Sequence, residues 1–315
     1  MSERSLNAVY TLPTMRRRYE VWFLKLMLAD GSGAWWFRYL LLNLGRGGCG
    51  ADGHSRPVQV WATWFPRDDT PRHFFEGFSK DGLSISSHGS EALEFGIGGC
   101  RITDNSCAGQ IDSSGHRLSW ELTYGSTFGD SITDLGWIGF SRTPHSDAIF
   151  SGRIKLDGRV FTGNPLGYGL QGHNCGYRHR KQWTWTHSVA LDASGGMTTF
   201  EALEYEIGFG FRFRKAVLWH QGKKFVFKKL SESERDRAAM RWVFKCVGPG
   251  DTELLAEIDG SGPSVIRLPY TKTDCSGSFD VSNNSLARAA LRFSNEGWTE
   301  QIDCDGGAVL EMVGD

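Results

Sequence analysis

What most constrains this chain is a recurring unit of roughly ten residues: an apolar, aromatic-rich run of strand length followed by a glycine-containing turn. The runs include 19-YEVWFLKLML-28, 34-AWWFRYLLLN-43, 58-VQVWATWF-65, 117-RLSWELTY-124, 183-WTWTHSVAL-191, 199-TFEALEYEIG-208 and 211-FRFRKAVLW-219. Between such runs lie turn strings such as 112-DSSGH-116, 156-LDGR-159 and 220-HQGKK-224. A polar residue followed by Gly, flanked by strand patterns, is the signal of a tight hairpin. One segment has a helical signature: 231-SESERDRAAM-240, where Ser231 and Glu234 have capping-box spacing. Strands this closely spaced build barrels or sandwiches, not βαβ units. With 40 Gly, 12 Trp and 20 Phe against 9 Pro, the composition suits many strands joined by tight turns. The expectation is an all-β chain of two antiparallel barrels or sandwiches.

At 315 residues the chain has room for two units. A weak echo links 108-AGQIDSSGHRLSWELTYG-125 to 151-SGRIKLDGRVFTGNPLGYG-169. It places the expected boundary near 160, dividing the chain into 1–160 and 161–315. A formal net charge of −1 leaves no bulk basic field for nucleic acid. The triplet 16-RRR and the run 178-RHRK read as solvated tail and turn charges. The segment 34-AWWFRYLLLNL-44 is too short to span a bilayer and carries Arg38. The opening residues lack the apolar core of a secretory signal, so the expectation is a cytoplasmic protein. Its seven cysteines, scattered and never C-x-x-C, are then expected to be free thiols.

The richest stretch is 167-GYGLQGHNCGYRHRKQWTWTH-187. Gly167, Gly169 and Gly172 spell G-x-G-x-x-G. That fingerprint needs a helix directly after it to hold a pyrophosphate, and here a strand pattern comes next. His173, Cys175, His179 and His187 are metal-ligand types, but they lack the paired spacings of a zinc site. No metal and no other cofactor is therefore expected. In an extended strand Trp183, Trp185 and His187 share one face. On the next run Glu201, Leu203 and Tyr205 share one face. If the two runs pair antiparallel and that face looks into a barrel, Glu201 or Tyr205 stands near the indoles and His187. A carboxyl group in apolar surroundings has a raised pKa and can act as a general acid. Each of these residues also has a bland reading as core filler or satisfied polar tip.

The stretch 167–187, with 19-YEVWFLKLML, 34-AWWFRYLLL and the 151-SGRIKLDGR hairpin before it, resembles the carotenoid 1,2-hydratase/AttH-like family and its "H-N/S-W-G" segment. His173, Asn174 and Gly176 match that segment, and Cys175 stands where the family has tryptophan. The family's Tyr-x-Asp pair has no match near 195–206, where Glu201 and 205-Tyr-Glu-206 are the nearest substitutes. The resemblance implies two tandem lipocalin-like barrels, as also in tocopherol-cyclase-like proteins and lipocalin-like Diels–Alderases. It implies a cofactor-independent hydration, cyclisation or pericyclic reaction on an apolar polyene or isoprenoid, in a pocket between or within the two barrels. His173, Asn174 and Glu201 would be catalytic, and Cys175, Trp183, Trp185, His187 and Tyr205 would bind substrate. The alternative from another class is a non-catalytic carrier of a hydrophobic ligand.

Overall fold

The computed structural model describes residues 5–11, 18–45, 48–49, 56–87, 92–191, 196–208 and 210–314. Within them the regular structure is all strand, apart from a single 3-10 turn at Gly136–Ile138. The first sheet holds β1 (Tyr19–Leu28), β2 (Gly33–Leu42), β3 (Val58–Pro66), β4 (Arg72–Phe78), β5 (Ser84–Ile85), β6 (Glu94–Ile97), β7 (Cys100–Thr103), β8 (Ser106–Ser113), β9 (His116–Gly125), β10 (Asp130–Asp134), β11 (Gly139–Leu156) and β12 (Arg159–Gly176). The second holds β13 (Trp183–Leu191), β14 (Met197–Gly208), β15 (Phe211–His220), β16 (Lys223–Phe227), β17 (Lys229–Asp236), β18 (Arg241–Val247), β19 (Glu253–Asp259), β20 (Ile266–Thr271), β21 (Ser278–Asn295) and β22 (Trp298–Val313).

The two sheets repeat one topology. The order is β4-β3-β2-β1-β12-β11-β9-β8-β7-β6-β5 in the first and β16-β15-β14-β13-β22-β21-β19-β18-β17 in the second. In each, a short side strand (β10 or β20) pairs the long, bulged penultimate strand. β4 packs against β8 and β15 against β17, so each sheet curls on itself. The turn chemistry is local. At Asp157-Gly158 and at Gln221-Gly222 both central residues have positive φ (49° and 91°; 49° and 71°), the geometry that matches the twist of the flanking strands.

Each unit has its own core. Trp22, Leu24, Leu26, Trp35, Phe37 and Trp120 fill the first, and Phe200, Phe227, Trp242, Phe244 and Phe293 the second. Burying side chains of this size stabilises the fold by roughly 1.5–3 kcal/mol each. A third cluster joins Phe23, Trp36 and Phe65 of the first unit to Trp185, Leu203, Tyr205 and Val309 of the second. Strands β1, β2 and β13 are thus buried on both faces, one against their own core and one against the other unit.

Four features differ from expectation. Residues 231–240 are not helical: β17 ends at Asp236 and pairs with β18, and a turn comes after it. Arg235 is drawn to the buried Glu204 carboxylate at 3.2 Å, so tertiary pairing overrides the local capping pattern. Cys49 and Cys275 form a disulfide linking the two units, while Cys100, Cys107, Cys175, Cys246 and Cys304 are free and buried. Their separation of 226 residues gave no spacing signal. Residues 160 and 161 both lie in β12, and the passage between sheets falls at 177–182. The echoing segments 108–125 and 151–169 both belong to the first sheet. Of 16-RRR-18, only Arg18 is among the described residues; it is buried with its guanidinium 4.9 Å from the Tyr177 ring.

Candidate functional site

Strand alternation builds the site. Even-numbered residues of β1, such as Trp22 and Leu24, point into the first core, so Tyr19, Val21 and Phe23 point outward. Trp36 and Arg38 of β2, Trp183 and Trp185 of β13, and Leu203 and Tyr205 of β14 face the same seam. There the units leave a cavity of about 260 Å³. The barrel interiors are filled by their own side chains; the cavity lies between them. The aromatic face of β13 therefore looks at the other unit and not into its own barrel, which corrects the inward-facing expectation. The reason is that the even face, Thr184 and Thr186, is buried as well.

One end of the cavity is polar. Glu311 of β22, 7% exposed, accepts hydrogen bonds from Trp183 Nε1 (2.8 Å), Tyr270 Oη (2.7 Å) and Asn283 Nδ2 (3.5 Å). Burial raises the Tyr270 phenol well above its usual range. Arg38, 4% exposed, lies with its guanidinium 3.8 Å from the centre of the Tyr270 ring and 4.8 Å from that of Trp61. Asn174 also lines the cavity. The connector between the sheets supplies His179, which stacks on Tyr19 at 4.2 Å; burial, with the Arg38 charge beside it, pushes its pKa down to about 3.

Of the residues singled out in the sequence, Asn174, Cys175, Trp183, Trp185 and Tyr205 line the cavity. His173 does not. It points to the Trp22 side of β12, fully buried, with Nε2 2.8 Å from Glu20 Oε1 and Nδ1 2.9 Å from the Leu6 carbonyl. It is sealed by Trp22, stacked at 4.8 Å, and by Phe140. Glu201 and His187 are direct partners across β13 and β14, but they stand behind the cavity wall. Glu201 accepts from Trp185 Nε1 at 2.9 Å and from Thr143 Oγ1 at 2.8 Å, and burial pushes its carboxyl up to about 7. His187 Nε2 is 3.2 Å from Ser146 Oγ; burial, helped by the Lys25 charge, brings its pKa down to about 3, so the ring is neutral. The glycines of the G-x-G-x-x-G string are packing residues. A side chain at Gly167 or Gly169 would collide with the β1 carbonyls of Met27 or Lys25, and at Gly172 with the Phe23 ring. Among the described residues no three His, Cys, Asp or Glu side chains are grouped to hold a metal.

Arg38, Tyr270 and Glu311 were missed as site residues. A signal was present for two of them: Arg38 and Glu311 are lone charges inside apolar strands, 34-AWWFRYLLL-42 and 308-AVLEMV-313. A charge is kept at such a place only with partners or a purpose. Tyr270 becomes visible only through the strand register.

Fold and site together define a lipocalin-like protein of two β units with an apolar cavity, polar at one end, between them. No family model matches the sequence, and no curated protein matches it. Solved structures do resemble it in fold. CghA has a TM-score of 0.61 at 13% identity, over 96% of this chain and 88% of that one. Kievitone hydratase from Nectria haematococca has a TM-score of 0.54 at 9% identity, over 98% of this chain and 94% of that one. A candidate AttH protein from Nitrosomonas europaea has a TM-score of 0.53 at 11% identity, over 93% and 92%. No helix among the described residues is long and apolar enough to cross a membrane.

Proposed function

We propose that this chain is an enzyme that encloses an apolar, unsaturated small molecule between its two β units and carries out a proton-transfer-driven hydration or cyclisation on it. The observation that carries this reading is the Tyr270–Glu311 pair, a hydroxyl donating to a carboxylate at 2.7 Å, at the wall of an apolar cavity. In a carrier such a pair would only orient the ligand, whereas in an enzyme it supplies a group that can take and return a proton. In the proposed reaction the Glu311 carboxylate takes a proton from the water or substrate nucleophile as that adds to one carbon of the double bond and returns it to the neighbouring carbon, and the Trp183 indole and Tyr270 hold its oxygens in place. The faces of Trp183 and Trp185 stabilise developing positive charge by about 0.5–2 kcal/mol per contact. Glu201, hydrogen-bonded to Trp185 from behind the wall, fixes that indole. Proton transfer of this kind uses side chains alone and asks for no redox group. Kievitone hydratase, similar in fold, bears a name that implies water addition to a small molecule.

The test is exchange in deuterium oxide. The protein is incubated with polyenes and prenylated phenols, and recovered compounds are weighed by mass spectrometry. Deuterium at carbon or a gain of water is expected for the wild type, with a loss of about 10²-fold or more in Glu311→Gln. Ligands that bind and are recovered unlabelled and unchanged would favour the carrier.

A further inference from the structure

The cavity holds a cation without an acidic partner among the described residues. Arg38 is 4% exposed, its Nη1 atom is buried with no hydrogen-bond partner, and no carboxylate among the described residues lies within 4.0 Å of its nitrogens. An unpaired buried charge is strongly unfavourable, and proteins ordinarily pair it or leave it in water. The one carboxylate in the cavity, Glu311, is committed to Trp183, Tyr270 and Asn283. The Trp61 and Tyr270 rings fix the guanidinium by their faces, Tyr270 also engages it by a side-chain hydrogen bond, and Nη1 is left without a partner. Asn174 Oδ1, also at the cavity, is a second buried polar atom without a partner.

The approach has the same sign. Beside the cavity, across the connector 177–180, lies a wider cleft of about 1280 Å³. It is lined by five basic side chains, Arg178, Arg180, Lys181, Arg237 and Lys272, against three acidic ones, Glu206, Asp274 and Asp280. Arg178 and Arg180 border both spaces.

We infer that the occupant of the cavity is an amphipathic anion: an apolar body carrying one carboxylate, enolate or comparably acidic oxygen group, which Arg38 receives. The inference rests on the reading of the cavity as the binding site and adds the chemical class of what enters it. The guanidinium donates from Nη1 to the anionic oxygen while Phe23, Trp36 and Trp185 cover the body. The basic cleft steers the anion toward the connector.

The test compares decanoate with decan-1-ol, which share a chain and differ in the head group, by quenching of tryptophan fluorescence. Wild type, Arg38→Met and Arg38→Lys are titrated at neutral pH, and Leu203→Trp serves as a filled-cavity control. Decanoate is expected to bind wild type at least about tenfold more tightly than decanol. Arg38→Met should abolish that preference by weakening decanoate alone, and Arg38→Lys should keep part of it. Equal binding of the two ligands to wild type, or an unchanged preference in a folded Arg38→Met, overturns the anion assignment and leaves the cavity standing. Quenching by neither ligand, or quenching that survives in Leu203→Trp, overturns the cavity reading and the inference with it.

Discussion

Tyr270 Oη lies 2.7 Å from Glu311 Oε2, joining β20 to β22, two strands that each pair with β21 and not with each other. The bond bridges the middle strand at the bottom of the cavity, where Asn283 of β21 adds a third donor. Glu311→Leu removes the acceptor for all three. Leaving buried donors unsatisfied costs about 1–3 kcal/mol each, so a loss of about 3 kcal/mol or more is expected in urea denaturation. Glu311→Gln keeps one acceptor oxygen and should lose about half as much or less.

His173→Ala separates packing from chemistry. The ring bridges Glu20 to the N-terminal segment inside the first unit. Its removal leaves a buried carboxylate short of a partner, and a loss of about 3–5 kcal/mol is expected. Ligand affinity should stay within about twofold of wild type, because the ring does not reach the cavity. Unchanged stability with lost binding or turnover would return His173 to the site.

Glu201 makes stability depend on pH. Burial raises its carboxyl from 4.5 to about 7, so the fold prefers the protonated form. The contribution is fully present below the unfolded value and is lost as pH rises from about 4.5 through 7. Glu201→Gln stays neutral. It should therefore gain on wild type across that interval, by up to about 3 kcal/mol, and run parallel to it above pH 8. Denaturation midpoints measured from pH 4 to 9 check this, and parallel curves throughout would contradict it.

The Cys49–Cys275 bridge closes a loop of 226 residues and ties one unit to the other. Chain entropy puts its contribution near 5 kcal/mol, and measured bridges of this kind give about 2–4 kcal/mol. Cys49→Ser with Cys275→Ser, or wild type in reductant, should melt lower by several degrees. Coincident melts would show that the bridge does not constrain the unfolded chain.

The strands could be read in the sequence because their cause is local: β1 and β13 occupy the predicted runs 19–28 and 183–191, and the hairpin at Asp157-Gly158 has the turn its residues demand. That Trp185 and His187 share a face with Leu203 and Glu201 follows from the same alternation. What alternation could not tell was which face of β13 looks where, since the hydroxyl face of Thr184, Thr186 and Ser188 is as buried as the aromatic one. His173 and Asn174, adjacent in sequence, therefore separate: one is sealed in the first unit and the other lines the seam. Tyr270 and Glu311 stand 41 residues apart, and only the β20–β21–β22 register brings them together.

The central claim is that ligand binds between the two units and not inside either barrel. Its most direct measurement is a crystal structure of the protein soaked with ω-bromodecanoate, with the bromine located by anomalous scattering. The account predicts one bromine site among Phe23, Trp36, Trp185 and Leu203, with the carboxylate on Arg38. A bromine in the core around Trp22 and Phe37, or in that around Phe200 and Phe244, would contradict it.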